Sequence, residues 1–420
     1  MDFRYNQQQK DNKSERTKYY WGGIATGMGV SLFLVFVTVL VVAVFYVGIK
    51  GNANQMEVSP EASDSAVVEK MQLIEEVIDK YFYQEETDKE AMADGIYKGM
   101  VSSLGDPYSE YYTAEEFDEL MNGIEGIYYG IGAYVSLDVD SGYAKISGII
   151  SGAPAEEADV RADDIIYAVD GVNTYGMSLE EVVALIKGPE GTKVVITFVR
   201  GGEYIDIEVE RRLVEAPTVE TEMFDNGISY IQITQFDEVT VKQFEEALSE
   251  SRDAGMKGLI IDLRSNPGGS LNAVVEIAKR LLPKGLIVYT EDREGNRTEY
   301  SCDGKKQLEV PLVVLVDGNS ASASEILAGA IKDYKIGTLV GTTTFGKGIV
   351  QQAISLGDGS AVKLTISTYY SPNGNNIHGV GVEPDVVCEF DGDRYYSEEA
   401  YDNQLEKAKE VLLNLMQTAN

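Results

Sequence analysis

Leu312-Val313-Val314-Leu315-Val316-Asp317-Gly318-Asn319-Ser320-Ala321-Ser322-Ala323-Ser324-Glu325 decides the architecture. Five consecutive apolar residues have the composition of a short strand buried on both faces. Asp317-Gly318-Asn319 is a turn. Ser322 with Glu325 three residues later is a capping box, predicting a helix from Ser322 through Tyr334. Strand, turn and helix together make one unit of an α/β layer. The same pattern recurs at Leu259-Ile-Ile-Asp262, which runs through a glycine turn at 264–269 into a helix over Leu271–Leu282. Strands at Gly337–Gly341 and Lys363–Thr368 extend the layer, so residues 213–395 read as an α/β core.

Outward from this core the pattern changes. Residues 126–212 carry strands at Tyr134–Ser136, Ala144–Ile150 and Val194–Val199, with helices at Ala155–Ala158 and Ser178–Ile186. Residues 67–125 carry three helices, Val67–Tyr83, Glu90–Leu104 and Thr113–Gly123, and read as a helical N-terminal subdomain. Thr113 and Glu116 form a capping box for the third. A last helix at Tyr401–Met416 falls in 396–420. The fold class expected is α/β in a multidomain (α+β) chain.

The 420 residues carry a net charge of −34. That excludes nucleic acid as a partner, because phosphate recognition needs clustered Lys and Arg. One histidine and two cysteines without metal-ligand spacing argue against zinc. Ile24–Ile49 holds no charge over 26 positions, longer than the roughly 20 a membrane helix needs. Basic residues precede it and acidic ones follow, which sets the N-terminus in the cytoplasm. The expectation is a tail at 1–21, an uncleaved anchor at 22–49 rather than a signal peptide, a polar linker at 50–66, and the remainder outside the cytoplasmic membrane. There Cys302 and Cys388 have the chance to pair, though sequence does not say whether they meet.

The chemistry centres on Ser322 and Lys347. A serine nucleophile needs a base, and lysine is the main alternative to histidine. Ser322 at a helix N-terminus sits among unpaired N–H groups suited to a negative oxygen. Taken alone it reads first as an ordinary cap, since N-cap serines are common. Lys347 lies in Gly346-Lys-Gly-Ile-Val-Gln351, read as a strand from Gly346 to Ser355 in which Lys347 and Gln351 share a face. Lysine serves as a base only when neutral, which burial favours. The turn at Asn266-Pro267-Gly268-Gly269 can aim backbone N–H groups, so the Gly268 and Ala323 amides are candidates for an oxyanion hole. Gly341–Lys347 matches most of a P-loop, but Gly348 replaces the required Ser or Thr and a strand, not a helix, follows. His378 reads as a surface-loop residue.

Two resemblances follow from these residues. Tyr129-Gly130-Ile131-Gly132, Ser151-Gly-Ala-Pro-Ala155, Asp163-Asp-Ile-Ile166 and Val169-Asp-Gly171 make residues 126–212 resemble a PDZ domain. The glycine turn Tyr129, Gly130, Ile131 and Gly132 would capture a C-terminal carboxylate, and a strand edge would accept the peptide. With Asp106-Pro-Tyr-Ser109, Ile186–Thr192, Asp262–Gly269, Ser320–Ala330, Phe345–Gln351 and Gly379–Asp385, the chain resembles the carboxyl-terminal processing proteases from about residue 70 to 390. The resemblance implies Ser322 as nucleophile, Lys347 as base, Gln351 as its support, and Gly268 and Ala323 as oxyanion donors. It implies protein substrates with accessible C-terminal tails and no cofactor or metal. Lys187, often arginine in relatives, is not counted among the site residues. Some relatives of this kind can assemble as homodimers through N- and C-terminal helices, and the helix at Tyr401–Met416 fits that role and intramolecular packing equally. The rival readings are a non-catalytic membrane-tethered peptide-binding scaffold and a hydrolase of non-peptide esters on the same two residues.

Overall fold

The computed structural model describes residues 64–83, 87–138, 141–398 and 400–418. The anchor expected at 22–49 lies outside them. Among the described residues no helix is long and apolar enough to cross a membrane. The chain divides into two compact units, Met1–Asp88 and Lys89–Asn420. In the first, α1 (Asp64–Tyr81) covers the predicted first helix.

The second unit opens with α2 (Lys89–Ser102), β1 (Glu110–Tyr112) and α3 (Ala114–Glu125). The Thr113–Glu116 capping box forms, with Glu116 N to Thr113 Oγ1 at 3.2 Å and Thr113 N to Glu116 Oε2 at 2.9 Å. β1 was not legible in the sequence, because three residues show no periodicity. It pairs antiparallel with Ala361–Lys363, which brings the preceding Asp106–Ser109 turn to the protease core.

Next come β2 (Ile127–Gly130), β3 (Ala133–Asp138), β4 (Tyr143–Ile149), α4 (Pro154–Glu157), β5 (Ile165–Val169), β6 (Val172–Asn173), α5 (Leu179–Ile186), β7 (Lys193–Arg200), β8 (Glu203–Glu210) and β9 (Arg212–Glu215). β3, β4, β5, β7 and β8 form one antiparallel sheet in that order, leaving β3 at an edge. β2 and β9 pair separately, at the two ends of the domain. Ile146, Ile166, Val182, Val194, Ile196 and Phe198 are fully buried at its centre. Each stabilises the fold by about 1.5–3 kcal/mol. Ser178 and Glu181 cap α5 reciprocally.

The core continues through β10 (Val219–Phe224), β11 (Ile228–Ile233), α6 (Glu238–Asp253), β12 (Gly258–Asp262), α7 (Leu271–Ala278), β13 (Gly285–Asp292), β14 (Arg297–Cys302), β15 (Leu312–Val316), α8 (Ala323–Tyr334), β16 (Gly337–Gly341), β17 (Ile349–Ser355), β18 (Ala361–Tyr370), β19 (Val386–Val387), α9 (Gly392–Tyr395) and α10 (Asn403–Thr418). The central sheet has the order β10-β11-β12-β15-β16-β19, parallel from β11 onward. Leu259, Ile261, Leu312, Val314 and Val316 face the core on one side, with residues of α6, α7 and α8. Ile260, Val313 and Leu315 face the other, where Ala408 and Leu412 of α10 cover them. Both faces are buried, so β12 and β15 read as unbroken apolar runs. The last helix packs within the chain through Ala408 and Leu412. A second sheet orders β1-β18-β13-β14, with β17 beside β18. Cys302 and Cys388 are both free thiols.

Candidate active site

In an open parallel sheet, ligands bind beyond the carboxyl ends of the strands. β12, β15 and β16 are parallel neighbours. Gly268, Ser322 and Lys347 follow their respective carboxyl ends, so the topology gathers all three segments at one end of the sheet. The structure then separates the three serines of the 320–324 run. Ser320 is fully buried and its hydroxyl donates to Leu263 O at 2.8 Å. Ser324 is fully buried and donates to Asn266 O at 3.0 Å. Ser322 is partly exposed, and its hydroxyl makes no capping hydrogen bond. Its backbone stands at φ 54°, ψ −111°, a region that L residues seldom occupy.

Gly268 packs directly against this residue. At φ +102° it occupies glycine's conformational range, and a Cβ there would lie 2.8 Å from Ser322 Cβ and 2.9 Å from the Ala323 nitrogen. Its N–H is engaged: it donates to Asn266 Oδ1 at 2.8 Å. Ala323 is the first residue of α8, whose leading N–H groups have no intrahelical acceptor. The sequence placed Asn266 in the glycine turn and gave its side chain no role. It is fully buried and its Nδ2 donates to Ile233 O at 2.7 Å, tying the glycine turn to the end of β11.

Lys347 and Ser322 are joined through one carboxylate. Glu325 is 1% exposed. Its Oε2 accepts the Ser322 N–H at 2.8 Å and the Lys347 N–H at 2.8 Å. Its Oε1 accepts the Thr344 hydroxyl at 2.6 Å and the Gly346 N–H at 2.7 Å. The Lys347 side chain is half-buried, and its Nζ lies 4.4 Å from the centre of the Tyr108 ring. Burial pushes its pKa below the ordinary lysine value. The charge of Lys363 adds to this, while Asp106 opposes it. Among the described residues no hydrogen bond joins Lys347 Nζ to Ser322 Oγ.

The expected strand from Gly346 is shorter than its sequence pattern: β17 begins at Ile349, with a register shift between Val350 and Gln351. Lys347 therefore precedes the strand, and strand alternation does not relate it to Gln351. The Gln351 amide points to Thr365 Oγ1 at 3.4 Å. Thr365 in turn donates its N–H to Ser109 Oγ at 3.2 Å, linking Gln351 to the Asp106–Ser109 turn. The segment after Gly341 enters a strand, as the rejection of a P-loop required. His378 is exposed and accepts a long 3.4 Å bond from Gly348 N. Among the described residues no group of His, Cys, Asp and Glu is arranged to hold a metal.

Tyr129 and Gly130 end β2, paired with Leu213 and Arg212. Ile131 and Gly132 form the turn into β3. Their carbonyls accept Ala155 N at 2.7 Å and Ile150 N at 3.0 Å, while their own amides donate to no described residue. Beside the turn a cavity of about 830 Å³ runs between Ala133, Tyr134 and Val135 of β3 and Val183 and Ala184 of α5. Lys187 and the α3 carboxylates Glu115 and Glu119 also line it. The edge strand and the helix opposite it wall a groove of the kind that receives an extended peptide, while Ile131 and Gly132 are buried and lie outside its lining.

These features have counterparts in known proteins. Residues 227–388 match the model of peptidase family S41, 145–200 that of the PDZ domain, and 40–116 that of the activating protease CtpB N-terminal domain. The carboxy-terminal processing protease CtpA of Bacillus subtilis is 36% identical over 360 residues, covering 85% of this chain and 77% of the relative. The carboxyl-terminal-processing protease of Synechocystis is 36% identical over 296 residues, 69% of each chain. A putative S41 protease from Bacteroides fragilis shares the fold, with a TM-score of 0.51 at 17% identity over 86% of this chain and 99% of that one. The chain belongs to the carboxyl-terminal processing protease family and is a serine-type peptidase with a PDZ domain.

Proposed function

We propose that this protein is a membrane-anchored endopeptidase working outside the cytoplasmic membrane, with Ser322 as nucleophile and Lys347 as base. A protein's C-terminal carboxylate enters the turn at Ile131 and Gly132, and its tail adds along β3. Ser322 Oγ attacks a peptide carbonyl and gives its proton to the neutral Lys347 amine. Lys347 then protonates the leaving nitrogen, and water hydrolyses the acyl-enzyme. The developing oxyanion draws on the Ala323 N–H at the start of α8, and on the Gly268 N–H once that amide exchanges its Asn266 partner. The Lys347 amine must turn from the Tyr108 ring toward Ser322 for the first step. Gln351 holds the base region in place through Thr365.

The observation that carries this reading is the state of Ser322. Of three closely spaced serines it alone is partly exposed with a hydroxyl that donates to no other described residue, and its backbone is held by the carboxylate that also holds Lys347. The membrane position rests on the uncharged run Ile24–Ile49 and its flanking charges. A scaffold without catalysis would need neither arrangement. The test incubates the full chain with an unfolded reporter bearing an apolar C-terminal tail. Ser322→Ala and Lys347→Ala should each lower kcat by at least about 10³-fold. Cleavage by either variant at the parent's rate would sink the proposal.

A further inference from the structure

Glu325 holds the N–H groups of Ser322 and Lys347, and a second buried side chain holds their carbonyls. Tyr369, on β18, is 2% exposed. Its hydroxyl lies 2.7 Å from Lys347 O and 3.0 Å from Ser322 O. The Tyr369 N–H also donates to Gly348 O at 3.1 Å, pinning the same segment from the strand side. Each of the two residues thus has its N–H bound by a carboxylate from α8 and its carbonyl within reach of one phenol hydroxyl from β18.

We propose that Tyr369 is a positioning residue for the reaction, its hydroxyl setting the separation between the Ser322 and Lys347 backbones. The inference rests on the reading of those two residues as nucleophile and base. A buried phenol needs one acceptor, and this one stands between two. Ser322 O does not require it, since the N–H groups of Glu325 and Ile326 already reach that oxygen at 2.9 and 3.0 Å. Lys347 O has no other donor among the described residues. The turn at 320–322 and the segment at 342–348 share one backbone hydrogen bond, Phe345 N to Ser320 O at 3.0 Å, and the phenol adds a second tie two residues further along each, between Ser322 O and Lys347 O. Burial, with Glu325 nearby, raises the Tyr369 pKa well above its ordinary value, so the hydroxyl remains a donor throughout the working pH range.

Tyr369→Phe removes the hydroxyl and keeps the ring. The full chain is assayed with tailed and tail-less peptides, counting active sites by titration with a fluorophosphonate. Expected is a fall in kcat per active site of about 10- to 100-fold, with KM and tail binding unchanged. The limb of the pH–rate profile set by Lys347 should also move to higher pH. A loosened segment admits water to the amine and returns its pKa toward 10.5. Asp106, Lys363 and Tyr108 act on that amine in parent and variant alike. A variant that merely folds less well would lose active sites and keep the parent's limb and kcat per site, and that result overturns the inference. If Tyr369→Phe does not fold, 3-fluorotyrosine at 369, similar in shape with a stronger donor, should displace the limb, and an unmoved limb overturns it. Ser322→Ala and Lys347→Ala run alongside. If either cleaves like the parent, the dyad reading falls and this inference with it. If both are inactive while Tyr369→Phe matches the parent, this inference alone falls.

Discussion

The groove beside β3 and the corner around Ser322 treat their main chains in opposite ways. Beside the groove, the Ile131 and Gly132 amides and one edge of β3 have no partner among the described residues, and the walls enclose about 830 Å³. At the corner, the N–H of Ser322 and of Lys347 is bound by a buried side chain, while the Ser322 hydroxyl has no side-chain cap bond. The contrast separates two tasks. Recognition of a tail uses backbone groups as the ligand's partners, so they must be left available. Peptide hydrolysis needs reacting atoms held within a fraction of an ångström, so the backbone that carries them is fixed by neighbours.

The sharpest way to break the contrast is at Glu325. Glu325→Ala leaves three N–H groups and one hydroxyl without their acceptor in a dry site, at a cost of about 3–5 kcal/mol. Calorimetry should show a lower melting temperature, and turnover should fall with it. An active, unshifted variant would mean that the corner is not held from this point. The corresponding change in the groove is Gly132→Val. Gly132 stands at φ +75°, and a Cβ there would meet Ala153 Cβ at 2.2 Å. Tailed substrates should lose about tenfold or more in affinity by titration with a fluorescent peptide, while kcat on tail-less peptides holds. Loss of both activities together would show that groove and corner are not separable.

A milder test varies pH. Lys347 has its pKa lowered by burial. The base form is populated above that pKa, so activity rises as pH passes upward through a limb below the ordinary 10.5. Substituting Lys363 by methionine removes a repelling charge and should move the limb slightly upward. A limb that stays at the solution value in the parent would place the amine in water and remove the argument from burial.

What the sequence disclosed was decided by local rules. β15, the turn after it and the start of α8 follow from an apolar run and a capping pattern, and the structure agrees at Leu312–Val316 and Ala323–Tyr334. The glycine turn at 129–132 and the helix opposite followed from motifs of similar range. The surroundings of Lys347 were not local. Tyr108, which faces its amine, lies far away in sequence and arrives only because β1 pairs with β18. Strand alternation suggested that Gln351 supports Lys347, and a strand that begins at Ile349 with a bulge redirects that amide to Thr365. Glu325 was visible only as a cap partner, because its other three bonds come from the 344–347 segment. Tyr369 lies just beyond the strand expected at Lys363–Thr368, and its acceptors could be found only in three dimensions.

The torsion of Ser322 carries an evolutionary consequence. A non-glycine residue at φ 54° costs on the order of 1–3 kcal/mol, which the surrounding fold must offset. Glycine at that position would relax the chain and abolish the chemistry. Ser322→Gly is therefore expected to melt at a higher temperature than the parent, an outcome readable by differential scanning calorimetry. Drift toward robustness and retention of turnover pull in opposite directions at this residue, and a lineage freed from the need to cut would be expected to gain stability there first.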